Sequence, residues 1–543
     1  MATLNPIGAF AQGRITRGLR IKVPPFTVLI PAILVGLAML VPVAYLVLRS
    51  ASAGEEVWDV LFRFRTVQTI GRTALLIATV TGVSALIAVP MAWLTSRTDL
   101  PFKGAWTLLA ALPLVIPSFV GAFLFISVMG PRGLAQQALG SLFGVERLPD
   151  IHGLVGATFV LALLSYPYLF LTVRGAINNL DSSAEEAARG LGHSAVSTFW
   201  RVTLPQLRPS IAAGSLLVGL YTLSDFGAVS LMRFPTFTWV IFQQYESGLD
   251  RSLAAMFSLI LVAMAVVVLL TEVYTRGRRK YFRTGSGAAR DHRVQKLCAW
   301  KWPAILFLGT ISILALAMPT AVLVFWFLRG VAAGEPLLLL WQATHSSVLV
   351  SALAALVTVL LAIPVAALVV RHPSLLSRLM EPISYVGYAL PGVVVALALV
   401  FFGVRYARPI YQTTWLLVFA YAVLFFPVAL ASVRSSLLQI NPRLEEAARG
   451  LGYTQLGVLI RVTVPLMRPG LIMGAAMVFL LTMKELPATL ILGPLGFNSL
   501  ATEIWSASSE ALFARAAAPA LLLILISSVP MGFLVIRERG LRA

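Results

Sequence analysis

The residues of this sequence that are best suited to specific chemistry occur twice, at matching positions. Residues 185–192 and residues 445–452 both read Glu-Glu-Ala-Ala-Arg-Gly-Leu-Gly. Each copy is followed at the same distance by Arg-Val-Thr, an aliphatic residue and proline, at 201–205 and at 461–465. An eight-residue identity that is extended in register indicates an internal duplication. We call these two octapeptides the EEAARGLG repeats.

Each repeat has the features of a short helix that presents charge to a partner. Asp181 and Asn441 suit helix N-caps, and Pro442 suits a first helical position. Glutamates then occupy the first turn, where negative charge favours the helix dipole, and a glycine ends the helix. The small alanines allow another surface to approach, so we predict docking elements and not mere connectors. The predicted docking residues are Glu185, Glu186, Ala187, Ala188, Arg189, Gly192, Glu445, Glu446, Ala447, Ala448, Arg449 and Gly452.

A second set of charges lies inside apolar segments. Asp225, followed by Phe226, matches Glu485, which is preceded by Lys484. Ionisable residues within a membrane span are functional candidates. Two acids that face each other would give a cation pathway a negative ring. The alternative is that these charges pair with Arg233 or with nearby backbone and hold an external gate.

The composition indicates a polytopic α-helical membrane protein. Hydrophobic residues make up 59% of the 543 residues and charged residues 12%, against about 25% charged in soluble domains. The net charge of +20 fits basic residues retained on the cytoplasmic side, so no nucleic-acid partner is expected. The single cysteine and the absence of Cys/His clusters predict neither a metal site nor a bound cofactor.

Twelve apolar segments are each long enough to cross a bilayer as a helix. Placing both termini in the cytoplasm puts most of the 42 Lys and Arg residues, and both EEAARGLG repeats, on the cytoplasmic side. Six spans in each half predict two parallel repeats with a pathway between them. The predicted spans are 26–48, 72–95, 105–129, 153–173, 210–232, 253–274, 303–328, 348–370, 380–404, 414–433, 470–492 and 513–536.

This layout predicts a chain of two transport domains with short additions. The first span and its external loop cover 26–67, and the seventh span and its loop cover 302–342. The two domains are expected at 68–275 and 343–537. A cytoplasmic tail (1–25), a basic cytoplasmic linker (276–301) and a second tail (538–543) complete the prediction.

The repeats resemble the EAA loop of the permeases of binding-protein-dependent type I ABC importers. That motif has Glu-Ala-Ala, three residues, glycine, nine residues, and then aliphatic-x-aliphatic-Pro. Residues 186–205 and 446–465 fit it without a gap. The resemblance covers nearly the whole chain and implies two fused permease domains. It also implies that each repeat is a coupling helix seated in a groove of an ATP-binding subunit.

The resemblance further implies partners in a bacterial inner membrane. The sequence has no GxxxxGK[ST] phosphate loop, so we expect a non-catalytic subunit. Two copies of a separate ATPase subunit would bind the ATP and magnesium. A periplasmic solute-binding protein would deliver the cargo to an alternating-access pathway.

The segments around the buried charges are similar to those of ferric-iron importer permeases. Residues 223–229, 234–238, 483–489 and 496–502 carry this resemblance. Thiamine importer permeases share the tandem layout and the Ser-Asp-Phe-Gly stretch, so thiamine or another small solute stays open as cargo. An ion-gradient-driven secondary transporter also uses twelve spans in parallel halves, although that class lacks the paired repeats.

Overall fold

The described part of the chain is built from helices. The computed structural model describes residues 24–51, 59, 62–131, 133–144, 148–180, 183–247, 251–276, 295–335 and 338–540. Within these residues the only β-bridge joins Thr98 to Gln295. The all-α class expected from the composition is therefore confirmed.

The helices of the first half are numbered here in chain order. They are α1 (Phe26–Ala51), α2 (Phe64–Arg97), α3 (Lys103–Ala111), α4 (Ser118–Met129), α5 (Leu134–Phe143), α6 (Leu154–Asn179), α7 (Ser183–Gly190), α8 (Ala195–Thr198), α9 (Leu204–Ser224), α10 (Gly227–Leu231), α11 (Phe237–Ser247) and α12 (Arg251–Arg276). A 3-10 turn at Leu112–Val115 and a π-turn at Phe199–Thr203 join some of them.

The second half repeats this order. Its helices are α13 (Lys301–Ser312), α14 (Met318–Ala332), α15 (Leu338–Arg371), α16 (Leu375–Ser384), α17 (Val386–Ala389), α18 (Gly392–Tyr406), α19 (Thr414–Gln439), α20 (Pro442–Gly450), α21 (Gln455–Val458), α22 (Val464–Met483), α23 (Pro487–Leu492), α24 (Leu500–Ser509) and α25 (Phe513–Gly540). Shorter turns are Cys298–Trp300, Ile313–Ala317, Arg408–Ile410 and Leu459–Thr463. Helices α15, α19 and α22 correspond to α2, α6 and α9.

Ten helices among the described residues are long and apolar enough to cross a membrane. Two shorter apolar helices, Lys103–Val115 and Gly392–Tyr406, belong to the predicted third and ninth spans. The predicted fifth span corresponds to the 21-residue helix α9 and the short helix α10 that follows it. The chain is therefore a multi-pass membrane protein, as its composition indicates.

The third span of each half is broken, whereas hydropathy predicts a continuous helix. The breaks fall before Pro117 and Pro391. The residues ahead of these prolines, Ile116 and Leu390, have extended backbones. A proline ring clashes with a helical conformation of the preceding residue, so the helix ends there. Helices α4 and α18 then begin directly after the prolines.

The fifth span of each half is broken as well. Helix α9 ends at Ser224 and α10 begins at Gly227, while α22 ends at Met483 and α23 begins at Pro487. The buried charges predicted to line a pathway or gate therefore lie in the two gaps between helices. A helix gap leaves backbone N–H groups free at the start of the next helix, and a carboxylate can accept from them.

The two halves interlock through their outer helices. Helix α1 of the first half packs on α15 and α18 of the second half. Helix α14 of the second half packs on α4 of the first half. The buried clusters mix both halves accordingly, with Leu46 beside second-half residues in one and Leu308 beside first-half residues in the other. Neither half encloses its core alone, so the chain forms one body.

Several sequence-based predictions fall outside the described residues. They concern residues 1–23 of the first tail, residues 277–294 of the basic linker, Asp181 and residues 541–543. The domain boundaries drawn from the sequence stay predictions.

The end of the linker is fastened to the turn after α2. The Asp99 amide donates to the Gln295 carbonyl at 2.9 Å. The Asp99 carboxylate accepts from the Leu297 amide at 2.8 Å and pairs with Lys301 at 3.2 Å. The Leu297 hydrogen bond, followed by Lys301, holds the pKa of Asp99 below its ordinary value. The carboxylate therefore stays charged at neutral pH and keeps the linker end in place.

We expect Asp99→Asn to loosen this attachment. The amide keeps the shape but loses the charge that holds Lys301 and Leu297. Trypsin should then cut after the exposed Lys296 about fivefold faster, because the linker end opens more often once these contacts are lost. Asp150→Asn, which alters another exposed aspartate, is the matched control. Equal cleavage rates in all three proteins would contradict the attachment.

Candidate functional site

The EEAARGLG repeats form the short helices α7 and α20. The Asn441 side chain caps α20 by accepting from the Arg443 amide at 3.1 Å, and Pro442 is the first helical residue. Gly192 and Gly452 follow the helices with φ of 87° and 88°. That left-handed conformation is strained for residues with a side chain, which explains a glycine at both positions.

Both helices end in the same hydrogen-bonded turn. The Gly192 amide donates to the Arg189 carbonyl at 2.9 Å, and the His193 amide donates to the Ala188 carbonyl at 3.1 Å. The equivalent bonds after α20 measure 3.0 and 3.2 Å. This pair of bonds is the Schellman motif, which satisfies carbonyls at a helix end. The duplicated sequence therefore produces two copies of one local structure.

The first glutamate of each repeat points into the protein. In the first half, Glu185 lies 3.8 Å from the Arg97 guanidinium and accepts from the Thr203 hydroxyl at 2.8 Å. Arg97 is 3% exposed and also donates to the Ile177 carbonyl at 3.3 Å. The carboxylate thus joins the end of α2, the end of α6 and the segment that leads into α9.

The second half has the same arrangement with a closer ion pair. Arg371 donates from Nε and Nη2 to Glu445 Oε1, at 3.2 and 3.1 Å. It also donates to the Ile440 carbonyl at 3.0 Å, and Thr463 donates to Glu445 at 3.3 Å. Charge-assisted hydrogen bonds of this kind are stronger than neutral ones. Helix α20 is therefore tied to the helix bundle through Glu445.

The outward surface of each repeat consists of the other docking candidates. Glu186 and Glu446 are exposed, as are Ala187 and Ala447, whereas Ala188 and Ala448 are buried against the bundle. Arg189 is half-buried, and the exposed Arg449 donates to the Glu445 carbonyl. The sequence-based set thus divides into inward and outward members.

A wide turn connects each repeat to the helix that re-enters the bundle. Phe199–Thr203 and Leu459–Thr463 are single π-turns at equivalent positions. Each ends in the threonine that donates to the inward glutamate. Single π-turns inside α-helices are often found at functional sites. The turn places this hydroxyl at the glutamate and precedes Pro205 or Pro465, which has no amide hydrogen to donate.

Asp225 caps the helix that follows its gap. Its Oδ1 atom accepts from the Ala228 amide at 2.9 Å and the Val229 amide at 3.2 Å. The Ser118 hydroxyl, at the start of α4, lies beside the same carboxylate. The side chain is 7% exposed. Asp225 therefore links the broken third and fifth spans of the first half, and it does not pair with Arg233.

Glu485 and Lys484 occupy the equivalent gap. Glu485 Oε1 accepts from the Ala488 amide at 3.3 Å, and a side chain at Gly392 would collide with it. Lys484 crosses to the other half and donates to the Leu114 carbonyl at 2.7 Å. Glu485 and Asp225 are close enough for their charges to interact. The two gaps therefore meet at the interface between the halves.

Aromatic side chains close over this charge cluster. Phe226 is 2% exposed and packs on Phe242 and Trp505, with ring centroids 4.6 and 5.1 Å apart. Trp505 belongs to α24 of the second half, and Phe242 belongs to α11 of the first. The aromatic cluster therefore bridges the halves beside the acids. The described residues contain no group of three or more His, Cys, Asp or Glu side chains that could hold a metal ion.

Several residues of this site were not identified from the sequence. Helices α11 and α24 lie outside the twelve predicted spans. Their first residues are held by matching bonds, because Phe237 donates to Thr73 at 3.3 Å and Leu500 donates to Ser347 at 2.8 Å. Thr73 and Ser347 occupy matching positions of the two halves, 274 residues apart in the sequence.

Two interlocked repeats, broken spans and buried charges at the interface define a membrane transport protein. A family model described as "Binding-protein-dependent transport system inner membrane component" matches residues 84–280 and 358–543. The chain belongs to this family of ABC importer permeases and contains its domain twice.

Individual relatives support the same assignment. The chain is 34% identical over 513 residues to the Fe(3+)-transport system permease protein FbpB 2 of Haemophilus influenzae, covering 94% of this chain and 97% of that protein. It is 23% identical over 467 residues to the ferric transport system permease protein FbpB of Actinobacillus pleuropneumoniae, covering 81% and 66%. Over 209 residues it is 30% identical to the molybdenum transport system permease protein ModB of Escherichia coli K12, covering 37% and 90%.

Proposed function

We propose that this permease moves ferric iron, delivered by a periplasmic binding protein, into the cytoplasm of a bacterium. The observation that carries the proposal is the similarity over nearly the full length to a relative named as an Fe(3+)-transport permease. The chemistry of the interface fits a cation, because the Asp225 and Glu485 carboxylates lie close enough there for their charges to interact, while Lys484 donates to a backbone carbonyl. An oxyanion such as molybdate would be repelled by that excess of negative charge.

ATP would be hydrolysed outside this chain, by two ATP-binding subunits that also hold the magnesium. Each subunit would dock on one repeat helix, α7 or α20, through its exposed glutamate and alanine. The ties from Glu185 to Arg97 and from Glu445 to Arg371 would pass the movement of the repeat helix to the spans. Both repeats and both termini would then be cytoplasmic, as the distribution of basic residues predicts.

Movement of the repeat helices would open and close the interface between the halves. The broken spans meet there, and a few hydrogen bonds hold them across the gaps. Closure of the ATPase dimer would bring α7 and α20 together. On the opposite side of the membrane, the break between α9 and α10 would move away from the break between α22 and α23. This is alternating access: the pathway has an inward-open and an outward-open conformation. ATP bound to the ATPase subunits and the loaded binding protein on the opposite face would shift the equilibrium between the two.

The proposal is tested by reconstitution. The permease, its ATP-binding subunit and the binding protein are assembled in liposomes, and the binding protein is loaded with ferric iron, molybdate or thiamine in turn. We expect ATP-dependent accumulation of iron alone, and stimulated ATP turnover only with the iron-loaded protein. Uptake of another cargo in place of iron would overturn the choice of substrate, and uptake without ATP would overturn the class of transporter.

A further inference from the structure

The two buried acids have different surroundings although they occupy equivalent positions. Asp225 accepts two backbone hydrogen bonds and lies beside the Ser118 hydroxyl. Glu485 accepts one long bond through Oε1, and among the described residues its Oε2 atom accepts none. Asp225 is buried, whereas Glu485 is partly exposed. Glu485 therefore has binding capacity left, and Asp225 has little.

A small polar cavity lies behind Glu485. Its volume is about 10 Å³, which is room for about one water molecule or one bare ion. Helices α15, α19, α22, α23 and α24 enclose it, so it belongs to the second half. Besides the Glu485 carboxylate, the polar side chains that line it are all hydroxyl-bearing: Ser347, Ser351, Tyr421, Thr482, Thr489 and Ser499.

One of these hydroxyls has no partner. Ser351 is 2% exposed, and no hydrogen bond from its hydroxyl to any described residue is present. Serine inside a helix can bond to a preceding carbonyl, but the Ser351 hydroxyl does not, so it can contact a ligand in the cavity. Among the described residues, the Tyr421 hydroxyl bonds to Thr489 alone, at 2.6 Å, which leaves a lone pair of the phenol oxygen available. These oxygens point to a ligand.

The first half has no equivalent cavity lining. Counterparts of Ser347, Thr482 and Ser499 keep a hydroxyl, as Thr73, Thr222 and Thr236. The other three hydroxyls are replaced by apolar side chains: Ile77 stands for Ser351, Leu161 for Tyr421 and Val229 for Thr489. The hydroxyls at these three positions are thus specific to the second half, since the hydroxyls beside Asp225 come from Ser118 and Tyr221 instead.

We propose that this cavity is a cation subsite of the pathway that exists only in the second half. Glu485, Ser351 and Tyr421 hold a hard metal cation by oxygen atoms as the cation passes the interface. Carboxylate and hydroxyl oxygens suit hard cations, whereas soft metals prefer sulfur. Asp225 is then a structural cap that adds negative charge nearby. This inference rests on the proposed function, and it replaces a symmetric ring of two equal acids with a one-sided site.

The test measures iron moved per ATP hydrolysed in the reconstituted complex with iron-loaded binding protein. Damage to the fold lowers uptake and ATP turnover together, whereas loss of the subsite lowers their ratio. We expect the ratio to fall about tenfold in Glu485→Gln and about fivefold in Ser351→Ala, the size of one lost contact to a charge. The ratio should fall in the same range in Tyr421→Phe.

Two controls separate the subsite from general effects. Ser527→Ala removes another buried hydroxyl without a partner, away from the cavity, and should leave the ratio unchanged. Asp225→Asn should mainly lower the amount of folded protein, with a smaller effect on the iron moved per ATP hydrolysed. The subsite would be overturned if the iron moved per ATP hydrolysed were unchanged in both Ser351→Ala and Tyr421→Phe. It would also be overturned if this ratio fell equally in Asp225→Asn and Glu485→Gln. Either result would leave the proposal of iron transport standing. If the wild-type complex moves no iron, the proposed function itself fails.

Discussion

Replacing both Glu186 and Glu446 with arginine is expected to abolish ATP-driven uptake while leaving the protein folded in the membrane. Both glutamates are exposed, and neither makes an ion pair with a described residue. A charge reversal at such a position changes stability by about 0.5 kcal/mol or less. In a docked interface the same change removes a paired charge and adds a repulsion, which costs about 2–5 kcal/mol. Uptake should therefore fall by at least about thirtyfold.

The measurement is cargo uptake by the reconstituted complex, together with the thermal unfolding midpoint of the permease. Arg378→Glu is the matched control, since Arg378 is exposed on the short helix α16 that follows α15. It should leave uptake within about twofold of the wild type. Full uptake in the double variant would show that the repeat helices do not couple the chain to ATP hydrolysis.

Much of the architecture follows from the sequence, because it depends on hydropathy and on repetition. Long apolar runs must satisfy their backbone groups as helices in lipid, so the spans could be predicted individually. The octapeptides could be placed on short exposed helices because their residue types match helix caps and first turns. The glycines at 192 and 452 take the positive φ that the end of such a helix requires.

The helix breaks were missed for a physical reason. A hydropathy window averages side-chain transfer free energy and contains no information on backbone angles. Pro117 and Pro391 lie inside the predicted spans 105–129 and 380–404, and a proline within a membrane helix is tolerated where neighbouring helices satisfy the freed backbone groups. Here the residue before each proline is extended, so the chain turns there. Whether a proline bends or ends a membrane helix depends on tertiary packing, and the sequence does not display it.

Which of two adjacent glutamates points into the protein and which is exposed also depends on tertiary structure. Glu445 and Glu446 have the same local sequence preferences, but only Glu445 lies within reach of Arg371, which is 74 residues away in the chain. Arg371 and Arg97 occupy matching positions of the two halves, 274 residues apart. No rule of sequence spacing connects those arginines to one glutamate and not to its neighbour. The asymmetry between Asp225 and Glu485 was hidden for the same reason.

The tie between Arg371 and Glu445 leads to the second large effect that we expect. In Arg371→Met the methionine fills a similar volume but leaves the Glu445 carboxylate, 12% exposed, without its cation. Breaking a buried ion pair costs about 3–5 kcal/mol, and this partly solvated pair should cost about 2–3 kcal/mol. Helix α20 should detach from α15 locally, so that ATP turnover continues while cargo uptake falls about tenfold or more.

A double-mutant cycle distinguishes this tie from general damage. Glu445→Gln combined with Arg371→Met should be more stable than the sum of the single variants predicts, because the second change removes the unpaired charge. The same cycle on Arg97 and Glu185, which are 3.8 Å apart and not 3.1 Å, should give a smaller coupling energy. Thermal unfolding and iron moved per ATP are the two measurements. Additive effects in the second half would mean that Arg371 stabilises α20 through the Ile440 and Leu437 carbonyls alone, and that movement of the repeat helix reaches the spans by another route.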